Sequence, residues 1–547
     1  MGFGGGLIQL ASKGEENLYL TDDPQITWFK IQYRRHTNFS IEEIQQNFIH
    51  TPDFGSKVFC NIGTKNGDLI HKIVLVIKLP DIPQFYNTDQ TIDKITKFRW
   101  CRKIGYALVK QIDVAIGGKL IDRQYGEWLN IWTELFGKKN GEIDDMIGNV
   151  KELYDYSTSK KSYELYVPLR FWFCNYIKNS LPIICLLHND IKINLELNSL
   201  ASVCNISPTH YILMENDCVN FIEGEYIEQY INSETITGQF VYFDDINKRL
   251  YYNRISNKLL QNINTYTINS SVLTDENKQN QINTLIENHI IYGLSSKYQA
   301  TPKINNEEAE LNSFIHTYTP LTNIRLKDCY LLVDYIFLDS EERKRIYAEK
   351  HEFLIEQLIL ANDSTIINQT TSILGLYNPV KYIVWTVQQE YLIQKYNNDH
   401  FNYTNSYKYK DILYITDQDH YLNKNINHQE KYENIQYGSN NVINSILYLN
   451  DMKRIEQQDN IYYGIIQPLQ HFKYCPQAGI NLYSFSLHPT EFQPSGACNM
   501  SAIDNIKLFN NIDPVINNNN PGHLKVYGIC YNILKIESGL GGCVFVN

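Results

Sequence analysis

The sequence has no excess of basic residues. Its 547 residues include 60 Asp and Glu but only 49 Lys and Arg, which gives a formal net charge of −11 at pH 7. A protein that wraps nucleic acid needs Lys and Arg to displace counterions from the phosphates. The acidic balance therefore argues against direct nucleic-acid binding as the main role, although Lys30, Arg34, Arg35 and His36 form a local basic patch.

Long apolar runs are also missing. No run approaches the roughly 18 residues that span a bilayer, and no secretory signal opens the chain. The start, Met-Gly-Phe-Gly-Gly-Gly, lacks the Ser or Thr expected at the sixth position of a myristoylation signal. We therefore expect a soluble protein without membrane insertion.

The 11 cysteines lack the spacing of a metal site. No two of them stand in CxxC spacing, and several lie within apolar runs, as Cys174 does after Phe171–Phe173. Buried free thiols in a reducing cytoplasm fit this pattern better than disulfides or metal ligands. We predict no metal and no cofactor.

Catalytic motifs are missing as well. The sequence has no GxxxxGK[ST] phosphate loop and no GxSxG nucleophile elbow. His351-Glu352 begins an HExxH pattern, but the second His is missing, and we interpret both residues as solvated. The pairs Asp22-Asp23 and Asp144-Asp145 lack EF-hand spacing and are interpreted as solvated carboxylates. We therefore predict no catalytic residues and no enzymatic activity.

Acceptor sequences for N-linked sugars occur seven times, which in an Asn-rich chain is mostly chance. Asn269 lies in a segment that we expect to project from the body of the protein. It is the candidate glycosylation site that we single out.

Short apolar segments rich in β-branched and aromatic residues make up much of the sequence, and 41 tyrosines add to them. Residues Ile191–Leu197 alternate apolar and polar side chains, which indicates a strand with one buried face. The pattern predicts an all-β protein. The predicted strands are Ile26–Tyr33, Ile70–Leu79, Val109–Ile116, Tyr163–Phe173 and Ile183–Leu197, and later Val380–Val387, Asp411–Thr416, Ile443–Leu449, Asn460–Ile466, Ile480–Leu487, Ile503–Phe509 and Val526–Ile536.

Two helices are predicted. Glu127–Phe136 carries apolar residues at helical spacing, and we expect this helix to close one end of a sandwich. The second helix is predicted over Ser340–Leu358, because Asp339 and Glu342 form a capping-box pattern. Its apolar face would comprise Ile346, Phe353, Leu354 and Leu358.

Periodicity weakens between about residues 201 and 327, where Asn, Gln, Lys and Thr become common. A structureless loop of that length is improbable inside a compact domain. We therefore expect a long insertion with some strands of its own. Strands before and after the second helix indicate two all-β units joined by a connector.

Many segments, in order along the chain, resemble the major capsid proteins of nucleocytoplasmic large DNA viruses. The resemblance thins over about residues 201–327 and 391–459. The segments are Gly5–Leu10, Leu18–Lys30, Tyr33–Phe39, Ile116–Asp122, Gln124–Trp132, Val167–Cys174, Leu181-Pro182, His188–Asn194, Val333–Asp339, Glu341–Arg343, His351–Leu358, Asn481–Pro489, Gln493–Gly496 and Tyr531–Gly539.

The resemblance implies two consecutive eight-stranded antiparallel jelly rolls. We expect an N-terminal arm at residues 1–24 and a first jelly roll at 25–340, with the insertion at about 201–327. A linker helix would occupy 341–372 and a second jelly roll 373–547. In that frame Val333–Leu338 would end the first jelly roll and Val380–Val387 would open the second.

The family also implies partners and location. The expected partners are two further copies in a homotrimer, neighbouring capsomers, and minor capsid proteins bound through the N-terminal arm and the base. The protein would be part of the virion capsid and be made in the host cytoplasm. Two alternatives stay open from the residues alone: a lectin-like jelly-roll surface protein that binds host glycans, and a glycosidase with two facing carboxylates.

Overall fold

A computed structural model gives the three-dimensional structure of the chain. It describes residues 4–545 except 32, 64, 87–90, 94, 138–142, 219, 232–233, 257, 264–283, 285, 304–308, 311–323, 395–396 and 406–437.

The first half begins with two exposed helices and continues as strands with short helices between them. The helices are α1 Gly4–Ala11, α2 Glu15–Thr21, α3 Ile104–Leu108, α4 Gly126–Phe136, α5 Asp144–Ile147, α6 Lys151–Tyr154, α7 Trp172–Asn175 and α8 Leu200–Val203. The strands are β1 Phe39–Asn47, β2 Lys57–Ile62, β3 Leu69–Lys78, β4 Lys97–Trp100, β5 Val109–Ile116, β6 Lys119–Gln124, β7 Glu164–Pro168 and β8 Ile191–Leu197. Then follow β9 Cys204–Ser207, β10 His210–Leu213, β11 Tyr226–Ile231, β12 Glu234–Asp244, β13 Arg249–Arg254, β14 Ile291–Gly293, β15 Gln299–Ala300, β16 Ala309–Glu310 and β17 Asp328–Leu338.

The first sandwich consists of two four-stranded sheets, ordered β1-β17-β3-β7 and β2-β8-β5-β6. All neighbouring strands in these sheets run antiparallel. Strand β8 buries alternate residues, as its sequence predicts, and β5 turns into β6 through Gly117-Gly118. Both glycines have positive φ, which the tight hairpin requires. Side chains from the two inner faces form one apolar core.

The predicted insertion forms its own sheet, with strand order β15-β14-β11-β12-β13-β10-β16, between β8 and β17. A separate apolar cluster supports it, including Ile212, Ile227, Phe240 and Leu250. Weak periodicity in the sequence therefore did not mean absence of structure.

The second half repeats the architecture. Its helices are α9 Ser340–Ala348, α10 Glu390–Ile393 and α11 Gln467–His471, the last preceded by a π-helical turn at Tyr462–Ile466. Short 3₁₀ turns in the chain are Ile177–Asn179, Ile183–Cys185 and Met500–Ala502. The strands are β18 His351–Ile366, β19 Thr370–Ile373, β20 Pro379–Gln389, β21 Val442–Leu449, β22 Met452–Lys453, β23 Gln458–Asp459, β24 Ile480–Ser484, β25 Cys498–Asn499, β26 Ile506–Ile512, β27 Gly522–Glu537 and β28 Leu540–Cys543.

The second sandwich pairs a sheet ordered β18-β27-β20-β24 with a sheet ordered β19-β26-β21-β22. Short strands β25 and β28 extend the first sheet, and β23 extends the second. When the main strands of each sandwich are counted in chain order, both sandwiches have the same strand order in both sheets. The chain therefore contains two consecutive jelly rolls. No repeat is visible by sequence identity, because many apolar side chains can satisfy the same pattern.

The predicted helix over Ser340–Leu358 is wrong beyond Ala348. Residues His351–Ile366 form β18, which pairs with β27 along its whole length. Asp339 does cap α9, since its carboxylate accepts a hydrogen bond from Ser340 N–H. Of the residues predicted to form the apolar face, Ile346 lies in α9, whereas Phe353, Leu354 and Leu358 lie in β18. The partner strand of β18 is more than 150 residues away, and pairing with it overrides local helix propensity.

Other boundaries also differ. Strand β18, not Val380–Val387, is the first of the second sandwich. The residues of Ile26–Tyr33 that the structure describes form no strand, and Asn460–Ile466 is mostly a π-helical turn. The predicted strand Asp411–Thr416 lies outside the described residues.

Candidate interaction surfaces

The residues singled out for chemistry do not converge in the structure. Asp22 and Asp23 lie on the exposed N-terminal segment, while Asp144 accepts a hydrogen bond from Asn149 Nδ2 at 3.0 Å. His351 opens β18, and its Nε2 lies 2.6 Å from Ile346 O. Among the described residues, no group of three or more His, Cys, Asp or Glu could hold a metal ion. Asn269 lies outside the described residues.

The cysteines are free thiols, as predicted, and eight of the 11 are buried. Burial raises the pKa of Cys60 to about 11 and the pKa of Cys174 to about 12. These thiols are therefore protonated at neutral pH and act as small apolar side chains. In the described part of the chain no helix is long and apolar enough to cross a membrane.

Helix α4 joins the two sandwiches. It follows β6 of the first sandwich, and Leu129 points into the core of that sandwich. Its opposite face packs on the outer surface of the second sandwich's β18-β27-β20-β24 sheet, where Trp128 is only 2% exposed. The Trp128 ring lies 5.6 Å from the ring of Tyr527. The predicted role of this helix, closing the end of one sandwich, is therefore corrected: the helix covers the face of the other.

A largely covered carboxylate, that of Glu127, completes the contact made by α4. Glu127 Oε2 lies 2.7 Å from Lys525 Nζ and accepts a hydrogen bond from the Tyr527 hydroxyl at 3.2 Å. Glu127 Oε1 accepts a hydrogen bond from the Thr386 hydroxyl at 3.1 Å. The carboxylate raises the pKa of Lys525, since it stabilises the charged amine.

A second polar contact lies where β6 meets β18. Asp122 Oδ1 accepts a hydrogen bond from the Leu358 backbone N–H at 3.0 Å, and the side chain of Gln357 donates to the Ile121 carbonyl. Burial raises the pKa of Asp122 to about 7, because removal from water disfavours its charged form. The carboxyl group thus satisfies a backbone donor on the free edge of β18.

Lys381 contributes a charge that is almost fully buried in the second sandwich. Its Nζ lies 2.5 Å from Glu356 Oε1 and 2.9 Å from the Pro489 carbonyl. Glu356 also lines a cavity of about 260 Å³ between the sandwiches, together with Arg170, whose guanidinium stacks 3.9 Å from the centre of the Trp132 ring. The Lys381–Glu356 pair lies within the second sandwich and the Arg170–Trp132 contact lies on the side of the first, so the cavity is lined by charged groups from both.

The N-terminal segment has the opposite character, because its apolar side chains are in water. Trp28 is 88% exposed and Phe29 is 99% exposed. In α1 and α2 no residue is buried. Isolated surface apolar residues are ordinary, but a continuous series of them marks a surface that binds a partner. The exposed large apolar residues of this segment are Leu7, Ile8, Leu10, Leu18, Tyr19, Leu20, Ile26, Trp28, Phe29, Ile31 and Tyr33.

The residues that join the sandwiches were not predicted from the sequence. Glu127 and Asp122 carry no motif, and a lone carboxylate in an amphipathic segment normally faces solvent. The only available signal is that α4 is apolar on more than one face, since Leu129 and Trp128 are adjacent and both buried. A helix with two apolar faces must contact two cores.

Comparisons with known proteins agree with this architecture. The family described as "Major capsid protein N-terminus" matches residues 27–244, and the family "Large eukaryotic DNA virus major capsid protein" matches residues 342–542. The chain is 39% identical to "Probable capsid protein 4" of Acanthamoeba polyphaga mimivirus over 99% of both chains. It is 28% identical to the major capsid protein of Phaeocystis pouchetii virus, over 99% of this chain and 100% of that protein.

Solved structures share the fold at low sequence identity. The Faustovirus major capsid protein superposes with a TM-score of 0.60 at 12% identity, covering 96% of this chain and 94% of that chain. A chain of the PBCV-1 virus capsid superposes with a TM-score of 0.57 at 22% identity, covering 95% of this chain and 100% of that chain.

Proposed function

Because the chain belongs to the major capsid proteins of large eukaryotic DNA viruses, we propose that three copies of it form a pseudo-hexagonal homotrimeric capsomer. Such capsomers would tile the icosahedral shell of the virion. The observation that carries the proposal is that one chain holds two sandwiches of the same strand order side by side. The alternative of a glycan-binding surface protein has no support from the matched relatives, which are capsid proteins.

The assembly follows from geometry. Two similar units in one chain, repeated about a threefold axis, present six similar walls, although the true symmetry is cyclic. A six-sided unit can tile a closed shell with the same lateral contact used many times. An obligate interface of this kind buries more than about 2,000 Å² and has an apolar centre. No residue needs to carry out a chemical reaction.

The N-terminal arm and the insertion have separate proposed roles. The exposed apolar residues at 4–33 support binding of the arm to minor capsid proteins at the base of the capsomer. The insertion connects β8 to β17 at one end of the first sandwich and has its own core, so it can vary without disturbing the sheets below. We propose that it covers the outer surface of the shell.

Light scattering after size exclusion tests the proposal. The purified chain should elute as a single species with three times the mass of one chain. Electron microscopy of the same fraction should show six-sided particles. A protein that stays monomeric at micromolar concentration, with intact secondary structure, would contradict the proposed capsomer.

A further inference from the structure

The helix that joins the two sandwiches within the chain has a counterpart in the second sandwich. Helix α4 lies between β6 and β7, and the helix formed by Tyr462–Ile466 and α11 lies between β23 and β24. We call the latter the 462–471 helix. The next sheet strand after each helix is an edge strand at the same place in its sandwich. It is β7 of the β1-β17-β3-β7 sheet after α4, and β24 of the β18-β27-β20-β24 sheet after the 462–471 helix.

The two helices present apolar residues at the same spacing. Leu129 packs into the first core and Tyr463 packs into the second core. Three further positions then recur at identical intervals along both helices. They are Ile131, Trp132 and Leu135 in α4, and Ile465, Ile466 and Leu469 in the 462–471 helix.

The environments of these positions differ. In α4 they pack against the outer face of the second sandwich, and Ile131 and Leu135 are fully buried. In the 462–471 helix they face solvent: Ile465 is 47% exposed and Leu469 is 63% exposed. Leu487 lies beside them, with its carbonyl 3.1 Å from His471 Nδ1, and is also exposed. The second helix therefore carries an apolar face that is only partly covered within the described part of its own chain.

The first sandwich offers a matching surface. On the second sandwich, α4 covers cross-strand rows such as Tyr527–Val384–Leu482. The topologically equivalent row on the first sandwich is Tyr330–Val76–Tyr166, and the next row is Leu332–Val74–Pro168. Both rows are apolar or aromatic. Leu332, Val74, Tyr166 and Pro168 are only half-buried, whereas their counterparts under α4 are buried.

We propose that the 462–471 helix of one copy docks on the outer face of the β1-β17-β3-β7 sheet of the next copy, as α4 docks on β18-β27-β20-β24 within the chain. This inference rests on the proposed trimer and names its interface. The contact is heterologous, because the helix of one copy binds a different surface, the sheet, on the next copy. The ring of such contacts closes after three copies, because each copy supplies two of six units. We infer a second copy of the chain as the binding partner, because the same kind of helix-on-sheet contact already joins the two sandwiches within one chain.

Charge substitutions on each side test the interface. The helix variant Ile465→Asp/Leu469→Asp and the sheet variant Leu332→Asp/Tyr166→Asp should each be monomeric where the wild type is trimeric. We expect the midpoint concentration of assembly to rise by about 100-fold or more, because charges replace the centre of an apolar contact. The matched control, Ile246→Asp/Tyr230→Asp, places two charges at exposed apolar positions of the insertion and should stay trimeric.

Mixing the two defective variants is the sharper test. The intact helix of the sheet variant can bind the intact sheet of the helix variant, but neither free end can continue. The mixture should therefore contain two-chain complexes and no trimers, by mass photometry. Circular dichroism on each variant alone checks that the sandwiches remain folded; an unfolded sheet variant is replaced by the single change Tyr166→Asp on the edge strand β7.

The outcomes separate the two proposals. A monomeric wild type contradicts the proposed trimer itself. If the wild type and the helix variant are both trimeric, the docking inference alone is overturned, even if the variant fails to form shells. Trimers in the mixture of the two variants would equally overturn it.

Discussion

Asp122 has its carboxyl group buried where β6 of the first sandwich meets β18 of the second. Its pKa is about 7 in the folded chain, against an ordinary value of 3.8. A group with a raised folded pKa contributes stability at pH below the ordinary pKa, and this contribution is lost as the pH rises through the folded pKa. Asp122 therefore makes the contact between the sandwiches less stable at pH 7 than at pH 4.

The change Asp122→Asn isolates this effect. The amide oxygen can still accept the Leu358 N–H, but the side chain no longer titrates. Relative to the wild type, the variant should gain stability between pH 4 and pH 7, on the order of 3 kcal/mol, and little more above pH 8. Thermal unfolding midpoints of both proteins across this range measure the difference. A difference that does not vary with pH would contradict the assigned titration.

For Glu127, removing the carboxylate alone should destabilise the protein more than replacing both Glu127 and Lys525 by uncharged residues. Replacing Glu127 by Ala leaves Lys525 and the Tyr527 hydroxyl without their acceptor in a desolvated contact. We expect a loss of about 2 kcal/mol in the free energy of unfolding, discounted because Lys525 keeps some solvent contact. The double change Glu127→Gln/Lys525→Met should recover most of this loss in denaturant titrations. Equal stability of the Glu127→Ala protein and the wild type would show that the network contributes nothing.

Among the elements, the N-terminal helices α1 and α2 and the strand β1 behave differently, although they are neighbours in the sequence. No residue of α1 or α2 is buried. In contrast, all nine residues of β1 pair with β17. The fold therefore depends on the chain from β1 onward, and the segment before it is available for binding.

Two truncations test this division. Removal of residues 1–24 should leave the thermal midpoint unchanged. The side chains of α1 and α2 are already exposed in the folded chain, so unfolding exposes no further surface there. Removal of residues 1–47 deletes β1 and exposes the edge of β17, so we expect the midpoint to fall by several degrees and aggregation to increase. Differential scanning calorimetry distinguishes the two. A large destabilisation by the shorter truncation would mean that the arm packs on its own chain.

At the scale of the whole molecule, association should determine stability. Since only the native chain can assemble, a trimer gains stability by mass action as the protein concentration rises. The thermal midpoint of the wild type should therefore increase over a hundredfold range of concentration. The helix variant Ile465→Asp/Leu469→Asp should show a constant, lower midpoint over the same range. Parallel concentration dependence in both proteins would contradict the role given to the helix.

Individual strands were predictable where their local pattern was strong. Residues Val109–Ile116 form a strand as predicted, and the predicted strand Ile183–Leu197 is a strand over Ile191–Leu197, where the residues alternate, because alternation and β-branched content are local properties. The helix Glu127–Phe136 was also predicted within one residue at its start. The order of the chain segments and their resemblance to a known family were enough to predict the two jelly rolls.

Predictions failed where a distant partner determined the outcome. Residues 349–358 have helix-compatible residues, but pairing with β27 makes them a strand. The insertion, in contrast, was expected to carry strands of its own, and it does: strands such as β11 and β12 pair within it and surround a separate core. The domain boundaries at residues 24 and 340 stay predictions, whereas the second sandwich begins with β18 and therefore before residue 372.

Local alternation and residues near one another in the chain were enough to predict the all-β class, two all-β units and the absence of recognisable catalytic motifs, and the resemblance to a known family implied that these units are jelly rolls. That α4 contacts both sandwiches, with Asp122 buried and Glu127 largely covered between them, could be seen only in the folded chain. The equivalent face of the 462–471 helix is partly exposed, which also became visible only there. The physical reason is that burial depends on what packs against a residue, and here the packing partner lies hundreds of residues away.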